Sequence, residues 1–152
     1  MRYKAVVFDM DGTILDTLDD LAGQEEAVLN EHKNYYPLHS CDMTRPYDGI
    51  VELLRTLKDH GVKTAVVSNK SDSNVRALVS RFFDGLFDDS IGSMEGVARK
   101  PAPDMVNMAL DRLGVPKEDA VYIGDSEVDL NTARNSLIDM ITVTWASGTG
   151  NT

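Results

Sequence analysis

The sequence predicts an α/β fold in which helices cover both faces of a mainly parallel sheet. Short apolar segments with strand character alternate along the chain with amphipathic helical segments. The apolar segments at 5–8 and 120–124 contain no charged residue, as expected for strands that are buried on both faces. At 152 residues the chain is long enough to bury a substantial core, so residues 1–152 are predicted to form a single core domain.

After the first strand, the sequence predicts a helix, an irregular connection and a second helix. Residues 18–33 carry a loose helical pattern, whereas 34–47 are interrupted by proline and have no period. Asp48 is predicted to be the N-cap of the second helix, which runs to about His60 and has an apolar stripe that ends at Leu57. Gly61 then stands where a glycine commonly ends a helix.

The second half of the chain repeats the alternation of strand and helix. Pro103 suits the first turn of a helix, and Gly114 directly follows the predicted end of that helix at Leu113. Ser126 is predicted to begin the last helix, and residues 146–152 are predicted to be a frayed end. The remaining segments are predicted strands at 62–69, 90–92, 120–125 and 140–145 and predicted helices at 72–83 and 126–137.

The charge and the cysteine content narrow the function classes. A formal charge of −10 argues against a nucleic-acid partner, because binding to a phosphate backbone needs a basic face. The single cysteine, Cys41, cannot close an intramolecular disulfide and gives no support to an oxidising compartment. No segment has the length and apolar character of a signal peptide or a membrane span, so a cytoplasmic location and no membrane partner are predicted.

Polar side chains follow several predicted strands at the points where these strands end. In parallel sheets ligands bind outside the carboxyl ends of the strands, so these side chains mark the expected place of a site. They are Asp9 and Asp11 after the first strand, Ser68, Asn69 and Lys70 after the second, and Asp125 after a later one.

Each of these segments also has a purely structural interpretation. Residues 9–11 suit a turn, and residues 68–69 suit the N-cap of the next helix. Lys100 suits a solvated loop before a proline, and residues 126–129 resemble a capping box with aspartate in place of glutamate. None of these interpretations explains why three acids, a hydroxyl and a lysine would meet at one edge of one sheet.

The combination of groups has a chemical explanation. Carboxylates that share a crevice repel one another unless a divalent cation is present, and oxygen ligands suit Mg²⁺. A phosphoryl group brought to that metal would be stabilised by a hydroxyl and a cationic lysine on its other side. Gly12 lets the backbone turn tightly beside a phosphate, while one carboxylate can attack phosphorus and a second can handle protons.

Four motifs of the chain resemble, in the same order, those of the haloacid dehalogenase superfamily of aspartate-nucleophile phosphatases. They are "DMDGT" at 9–13, Ser68 in "VVSNK", Lys100 in "RKPAPD" and "GDSEVD" at 124–129. The match covers nearly the whole chain, and the residues within the motifs are most similar to those of the phosphoglycolate phosphatase branch. The resemblance implies a Rossmann-like three-layer sandwich and a Mg²⁺-dependent phosphatase that acts on a small phosphorylated metabolite, with phosphoglycolate as a candidate.

The resemblance also implies a role for each matching residue. Asp9 is expected to be the nucleophile that forms an aspartyl-phosphate, and Asp11 to protonate the leaving alcohol and later deprotonate the attacking water. Mg²⁺ is expected to be held by Asp9, the backbone carbonyl of Asp11 and Asp125, while Asp129 supports the metal or Lys100 from behind. Ser68 and Lys100 are expected to hold the transferring phosphoryl group. The residues expected to bind substrate are Gly12, Thr13, Ser68, Asn69 and Lys100.

The chain departs from this branch where a helical cap is inserted between the first two motifs. Only residues 17–46 are available for it here, which is enough for one helix and a linker, so they are predicted to be a cap remnant or linker. The predicted site is therefore open to solvent. An open apolar rim invites association, so self-association over the site is also predicted.

Three other functions fit parts of the pattern. A sugar phosphomutase of the same superfamily would share the nucleophile and the metal. A phospho-accepting receiver domain also combines acids, Mg²⁺, a hydroxyl and a lysine on a parallel sheet, although its phosphoacceptor follows a later strand. The third alternative is a catalytically idle scaffold, which the shortened insertion leaves open.

Overall fold

The computed structural model describes residues 2–17 and 44–145. Within them, the strands in chain order are β1 (Ala5–Phe8), β2 (Leu15–Asp16), β3 (Arg45–Pro46), β4 (Lys63–Ser71), β5 (Asp89–Ser93), β6 (Ala120–Gly124) and β7 (Asp139–Thr142). The helices are α1 (Ile50–Asp59), α2 (Asp72–Phe83), α3 (Asp104–Leu113) and α4 (Glu127–Ser136), with a 3₁₀ helix at Lys117–Asp119. Five of these strands form a parallel sheet in the order β5-β4-β1-β6-β7, while β2 and β3 pair antiparallel.

Helices cover both faces of the sheet, which confirms the predicted three-layer α/β sandwich. The side chains of β1 alternate between two cores: Val6 and Phe8 pack with α1 and α2, whereas Ala5 and Val7 pack with α3 and α4. All four side chains are at most 4% exposed. This double burial is the reason that β1 contains no polar side chain.

The central position of β1 brings the ends of three strands together. Phe8, its last residue, lies level with Val66 of β4 and Ile123 of β6. Because the three strands run in the same direction, the residues beyond these positions meet at one edge of the sheet. This edge therefore receives the polar residues that follow β1 and β6 and those at the end of β4.

The start of α1 differs from the sequence prediction, because Asp48 is not its cap. Gly49 is the N-cap, with a left-handed φ of 86° and no side-chain hydrogen bond to the helix. The N–H of Ile50 donates to the carbonyl of Tyr47 at 3.2 Å, so Asp48 and Gly49 form a turn that needs glycine at its second central position. The predicted helix end is confirmed, since Gly61 follows it with a φ of 75°.

The other helix boundaries lie close to their predicted positions. Helix α3 ends at Leu113 as predicted, and Gly114 follows it with a left-handed φ of 70°; Pro103 is its N-cap and lies just before the first turn. Helix α4 follows Ser126. Helix α2 begins as predicted at residue 72, but its cap is the hydroxyl of Ser71. The interpretation of residues 68–69 as an N-cap is therefore wrong, because β4 continues through them to Ser71.

The short β2–β3 pair joins the two described stretches of chain, with Asp16 opposite Arg45. Several predicted segments lie wholly or mainly outside the described residues: the helix at 18–33, the connection at 34–47, the cap remnant at 17–46 and the end at 146–152. Among the helices that the structure describes, none has the length and apolar character needed to cross a membrane.

Gly92 of β5 lies so close to the start of α2 that no larger side chain fits at this position. A Cβ on Gly92 would lie 2.5 Å from Cα of Asp72, and backbone atoms leave it no room to move away. We expect Gly92→Ala to lower the free energy of unfolding by about 1–3 kcal/mol, measured by urea denaturation. Ser90→Ala on the same strand is the control, and an equal loss in both variants would contradict this prediction.

Candidate active site

The carboxyl edge of the sheet holds a cleft with a volume of about 460 Å³. Its lining brings together predicted site residues from four separate parts of the chain. Gly12, Thr13 and Asp125, which the sequence also singles out, are not part of the lining. The lining residues are Asp9, Asp11, Ser68, Asn69, Lys70, Arg99, Lys100, Ser126, Val128 and Asp129.

The ammonium group of Lys100 is buried between two aspartates. Its Nζ donates to Oδ1 of Asp9 at 2.7 Å and to Oδ1 of Asp129 at 3.0 Å, and the lysine side chain is 4% exposed. The carbonyl oxygen of Val67 at 3.2 Å and the hydroxyl of Tyr122 at 2.9 Å complete its surroundings. Lys100 is therefore not the solvated loop residue of the structural interpretation.

The side chain of Asn69 fixes the backbone of Lys100. Its amide nitrogen donates to the carbonyl of Lys100 at 3.0 Å, and its oxygen accepts from the N–H of Lys100 at 2.8 Å. The guanidinium group of Arg99 donates to the carbonyl of Asn69 at 2.9 Å. Asn69 thus ties the loop that carries Lys100 to the end of β4, and its contact with substrate stays a prediction.

Asp129 acts both in the helix cap and in the buried ion cluster. Its Oδ2 accepts from the N–H and the hydroxyl of Ser126, whose Oγ also accepts from the N–H of Asp129, so the predicted capping box is present. Its Oδ1 accepts from Lys100 and Tyr122. A Cβ on Gly124 would lie 2.5 Å from Cβ of Asp129, so the glycine makes room for this side chain.

A second cluster, which has the character of a metal site, lies on the other side of Asp9. The hydroxyl of Thr13 lies 3.3 Å from Oδ2 of Asp9 and 3.5 Å from Oδ1 of Asp125, and its one proton can serve only one of them at a time. Oxygens of Asp9, Asp125 and Asp129 lie within 4.8 Å of one another. Each oxygen of Asp129 accepts two or more hydrogen bonds, whereas each oxygen of Asp9 faces a single donor, so Asp9 and Asp125 have more capacity left for a hard divalent cation.

The pKa values of these acids reflect where negative charge is left uncompensated. Burial raises the pKa of Asp9 to about 7, against the opposing effect of Lys100. Burial also raises the pKa of Asp125, where a hydrogen bond with Asp9 only partly opposes it. Burial alone would also raise the pKa of Asp129. The positive charge of Lys100 and the hydrogen bonds from Tyr122, Lys100 and Ser126 outweigh burial, so the pKa of Asp129 is lowered. A cation beside Asp9 and Asp125 would favour their ionised forms.

Three further predicted site residues have partners of their own near the cleft. Oδ2 of Asp11 pairs with Nζ of Lys70 at 3.3 Å. Ser68 is 3% exposed, and its Oγ accepts from the N–H of Lys70 at 3.1 Å. Gly12 has a φ of 83°, and its N–H donates to the carbonyl of Leu15 at 3.0 Å, so this amide is already used within the turn.

Tyr122 belongs to the buried cluster, although the sequence pattern does not single it out. It is fully buried, and its hydroxyl donates to Oδ1 of Asp129 at 2.6 Å while it accepts from Lys100. Burial, together with the charges of Asp129 and Asp9, raises the pKa of Tyr122, so the hydroxyl keeps its proton. The one available signal was a hydroxyl inside an otherwise apolar strand, since a buried tyrosine needs a hydrogen-bond partner.

The chain belongs to the haloacid dehalogenase-like hydrolase family, whose sequence profile matches residues 22–143. This match confirms the resemblance to the haloacid dehalogenase superfamily, and it includes three of the four motifs, at Ser68, Lys100 and 124–129. The family assignment argues against the receiver-domain alternative, because the profile describes hydrolases and covers most of the chain.

Two relatives with named activities match almost the whole chain. The pyrophosphatase PpaX of Listeria innocua serovar 6a is 33% identical over 184 residues, which cover 95% of this chain and 85% of the relative. The phosphoglycolate phosphatase of Mannheimia succiniciproducens is 25% identical over 194 residues, which cover 95% of this chain and 87% of the relative. Both alignments are longer than the 152 residues of this chain, so both relatives contain internal residues without a counterpart here.

Solved structures agree with the fold. One of them is a crystal structure of a protein from Lactobacillus delbrueckii subsp. bulgaricus that has been provisionally named a phosphoglycolate phosphatase. It matches this chain with a TM-score of 0.89 and 35% sequence identity, and the match covers 95% of this chain and 87% of that one. CbbY from Rhodobacter sphaeroides, solved in complex with phosphate, matches with a TM-score of 0.71 and 22% identity over 93% of this chain and 86% of CbbY. At this identity the match supports the fold alone.

The raised pKa of Asp9 predicts a pH-dependent effect of neutralising this residue. Between the ordinary value of 3.8 and about 7, the folded state binds more protons at Asp9 than the unfolded state, so this group lowers stability as the pH rises. Asp9→Asn also removes one partner of the buried Lys100, a cost that we expect at every pH. Superimposed on this cost, the free energy of unfolding of Asp9→Asn minus that of the parent should rise between pH 4 and 7, by at most about 1.4 kcal/mol per pH unit. Urea denaturation in the presence of a chelator measures this, and parallel pH curves would contradict it.

The buried hydroxyl of Tyr122 predicts a stability loss on its removal. Tyr122→Phe deletes a donor to the charged Asp129 and an acceptor for Lys100, so we expect a loss of about 1.5–3 kcal/mol in the free energy of unfolding. Tyr3→Phe is the matched control, because the hydroxyl of Tyr3 also donates to an aspartate, Asp139, but at an exposed position. The control is expected to lose less than about 0.5 kcal/mol, and equal losses would show that the buried cluster does not depend on Tyr122.

Proposed function

We propose that this protein is a Mg²⁺-dependent phosphatase that hydrolyses small phosphate monoesters through an aspartyl-phosphate on Asp9, with phosphoglycolate as a candidate substrate. The observation that carries the proposal is that the two oxygens of Asp9 face different partners. Oδ1 accepts from Lys100 at 2.7 Å, while Oδ2 faces the hydroxyl of Thr13, which also reaches Asp125. A carboxylate between a cationic anchor and an acidic cluster is suited to attack a phosphoryl group held by both sides.

The residues that would hold Mg²⁺ are Asp9, Asp125 and the backbone carbonyl of Asp11. Their oxygen-only chemistry suits this cation, and the raised pKa values of Asp9 and Asp125 indicate a place where positive charge is lacking. When bound, the ion supplies charge that favours both carboxylates and stabilises the transferring phosphoryl group. Asp129 supports Lys100 from behind, as its hydrogen bonds suggest.

In the first step, an oxygen of Asp9 forms a bond to phosphorus while the bond from phosphorus to the leaving oxygen breaks. Asp11, in its protonated form, gives its proton to the leaving oxygen, so the alcohol departs neutral. Ser68 and Lys100 hold the phosphoryl oxygens during this transfer. Asn69 contributes by fixing the backbone of Lys100.

In the second step, water attacks the phosphorus of the aspartyl-phosphate. Asp11, now a carboxylate, accepts the proton that the water loses. The bond between phosphorus and the oxygen of Asp9 then breaks, which releases inorganic phosphate and restores both aspartates to their starting forms. Release of inorganic phosphate distinguishes this reaction from that of a phosphomutase, which returns the phosphoryl group to the substrate.

The substrate is proposed to be a small phosphorylated metabolite. The names of the relatives, a pyrophosphatase and a phosphoglycolate phosphatase, support this size and chemistry. Both relatives have internal residues that this chain lacks, as the proposed interpretation of residues 17–46 as a cap remnant or linker requires. A site with so little cover would be open to solvent, and self-association over it is part of the proposal.

Replacement of Asp9 tests the proposed nucleophile. Asp9→Asn is expected to lower Mg²⁺-dependent release of phosphate from nitrophenyl phosphate by about 1,000-fold or more, because an amide is a far weaker nucleophile and metal ligand. Asp84→Asn is the matched control, since Asp84 is exposed at the far end of α2. Turnover near that of the parent in Asp9→Asn, or undiminished turnover in excess chelator, would contradict the proposed function.

A further inference from the structure

Two cations line the cleft without belonging to the buried ion cluster. The side chain of Lys70 is 15% exposed, and its Nζ lies 3.3 Å from Oδ2 of Asp11. Arg99 is exposed, and its guanidinium group donates to the carbonyl of Asn69, the residue directly before Lys70. Arg99 thus contacts the backbone of the residue that precedes Lys70 at the end of β4.

The contact of Lys70 with Asp11 places Lys70 on the side of the substrate's leaving group in the proposed mechanism. In the proposed mechanism Asp11 hands a proton to the leaving oxygen, so the two must lie within hydrogen-bond distance. Lys70 contacts the same carboxylate, so its ammonium lies beside the leaving group. Lys100, in contrast, contacts Asp9 and is on the side of the transferring phosphoryl group.

The charge of the cleft makes this position significant. The acids in the lining are Asp9, Asp11 and Asp129, and Lys100 is already bonded to two of them. An additional negative group on the leaving side would be repelled by these acids unless a cation met it there. Among the described lining residues, Lys70 and Arg99 would supply that charge. The guanidinium group has donors beyond the one that the carbonyl of Asn69 accepts, and Lys70 loses its ionic partner in the proposed step in which Asp11 carries its proton.

We propose that Lys70, assisted by Arg99, recognises a second anionic group on the leaving portion of the substrate. The preferred substrates are then small phosphate compounds that carry a carboxylate or another phosphate one or two bonds beyond the leaving oxygen. This inference rests on the proposed function, because it uses Asp11 to define the leaving side. It assigns selectivity to the core of the protein, which suits a chain that lacks internal residues present in its relatives.

Three esters with the same two-carbon skeleton isolate the charge of the leaving group: phosphoglycolate is anionic, ethyl phosphate neutral and phosphoethanolamine cationic. We expect the parent to have the highest kcat/KM for phosphoglycolate. Lys70→Met is expected to lower the ratio of kcat/KM for phosphoglycolate to that for ethyl phosphate about tenfold, the loss of one charged hydrogen bond. Lys70→Arg should restore most of the ratio, and Arg99→Gln should lower it less because Arg99 is exposed.

The matched control is Lys63→Met. Lys63 is the first residue of β4, so it is exposed at the opposite end of the strand that carries Lys70 and lies away from the cleft. This variant should keep the parental ratio. An equal loss for all three esters in Lys70→Met would overturn the inference, because Lys70 would then act on Asp11 and not on the substrate. An unchanged ratio would overturn it as well.

Binding measurements separate this inference from the proposed function. Calorimetry with phosphoglycolate and ethyl phosphate, in the presence of Mg²⁺, should show the same selectivity in the parent and the same loss in Lys70→Met. If the parent turns over none of the esters but this difference in binding is present, the proposed function fails while the recognition of a second anion stands. If turnover occurs and neither the binding nor the kinetic ratio changes, the recognition fails while the phosphatase stands.

Discussion

The arrangement of the cleft depends on the pairing of the buried ammonium group of Lys100 with Asp9 and Asp129. An ion out of water is stable only where it is paired and hydrogen-bonded, and removing one partner of such a pair costs on the order of 3–5 kcal/mol. Lys100 meets its partners where Asp9 follows β1 and Asp129 lies in the first turn of α4. The requirement to pair one charge thus joins the loop before α3 to the ends of β1 and β6, and Asn69 adds the end of β4.

The same cluster leaves negative charge unsatisfied, and this surplus gives the site its chemistry. Lys100 offsets Asp9 and Asp129, whereas no lysine or arginine of the described residues forms an ion pair with Asp125, which faces Asp9 and the hydroxyl of Thr13. Burial, together with this uncompensated negative charge, raises the pKa values of Asp9 and Asp125, so a proton or a cation would complete the site. An anionic substrate needs positive charge for the same reason. The cluster therefore fits the proposed metal ion on one side of Asp9 and the proposed cationic contacts to the substrate on the other.

Much of the fold and the location of the site follow from local patterns. Apolar strands such as β1 must be covered on both faces, and the alternation with amphipathic helices leaves a parallel sheet as the solution. The capping box at Ser126 and Asp129 is local as well, since its four residues are consecutive. The prediction at Asp48 fails because aspartate serves caps and turns equally well, and the adjacent Gly49 allows the turn. Local chemistry alone does not decide between these two outcomes.

By itself, the sequence determined the α/β class, the order of the five sheet strands and of helices α1 to α4, the four motifs and the sheet edge at which they meet, but not the β2–β3 pair. Only the tertiary structure decided which polar groups touch. The bond from Tyr122 to Asp129, the bonds between Asn69 and Lys100 and the pair of Lys70 with Asp11 join residues from different elements, and each depends on strand register and side-chain direction. The physical reason is that apolar periodicity reports burial, which is a property of one segment. A hydrogen bond or an ion pair is a property of two segments, and its partner becomes known only when the sheet has brought them together.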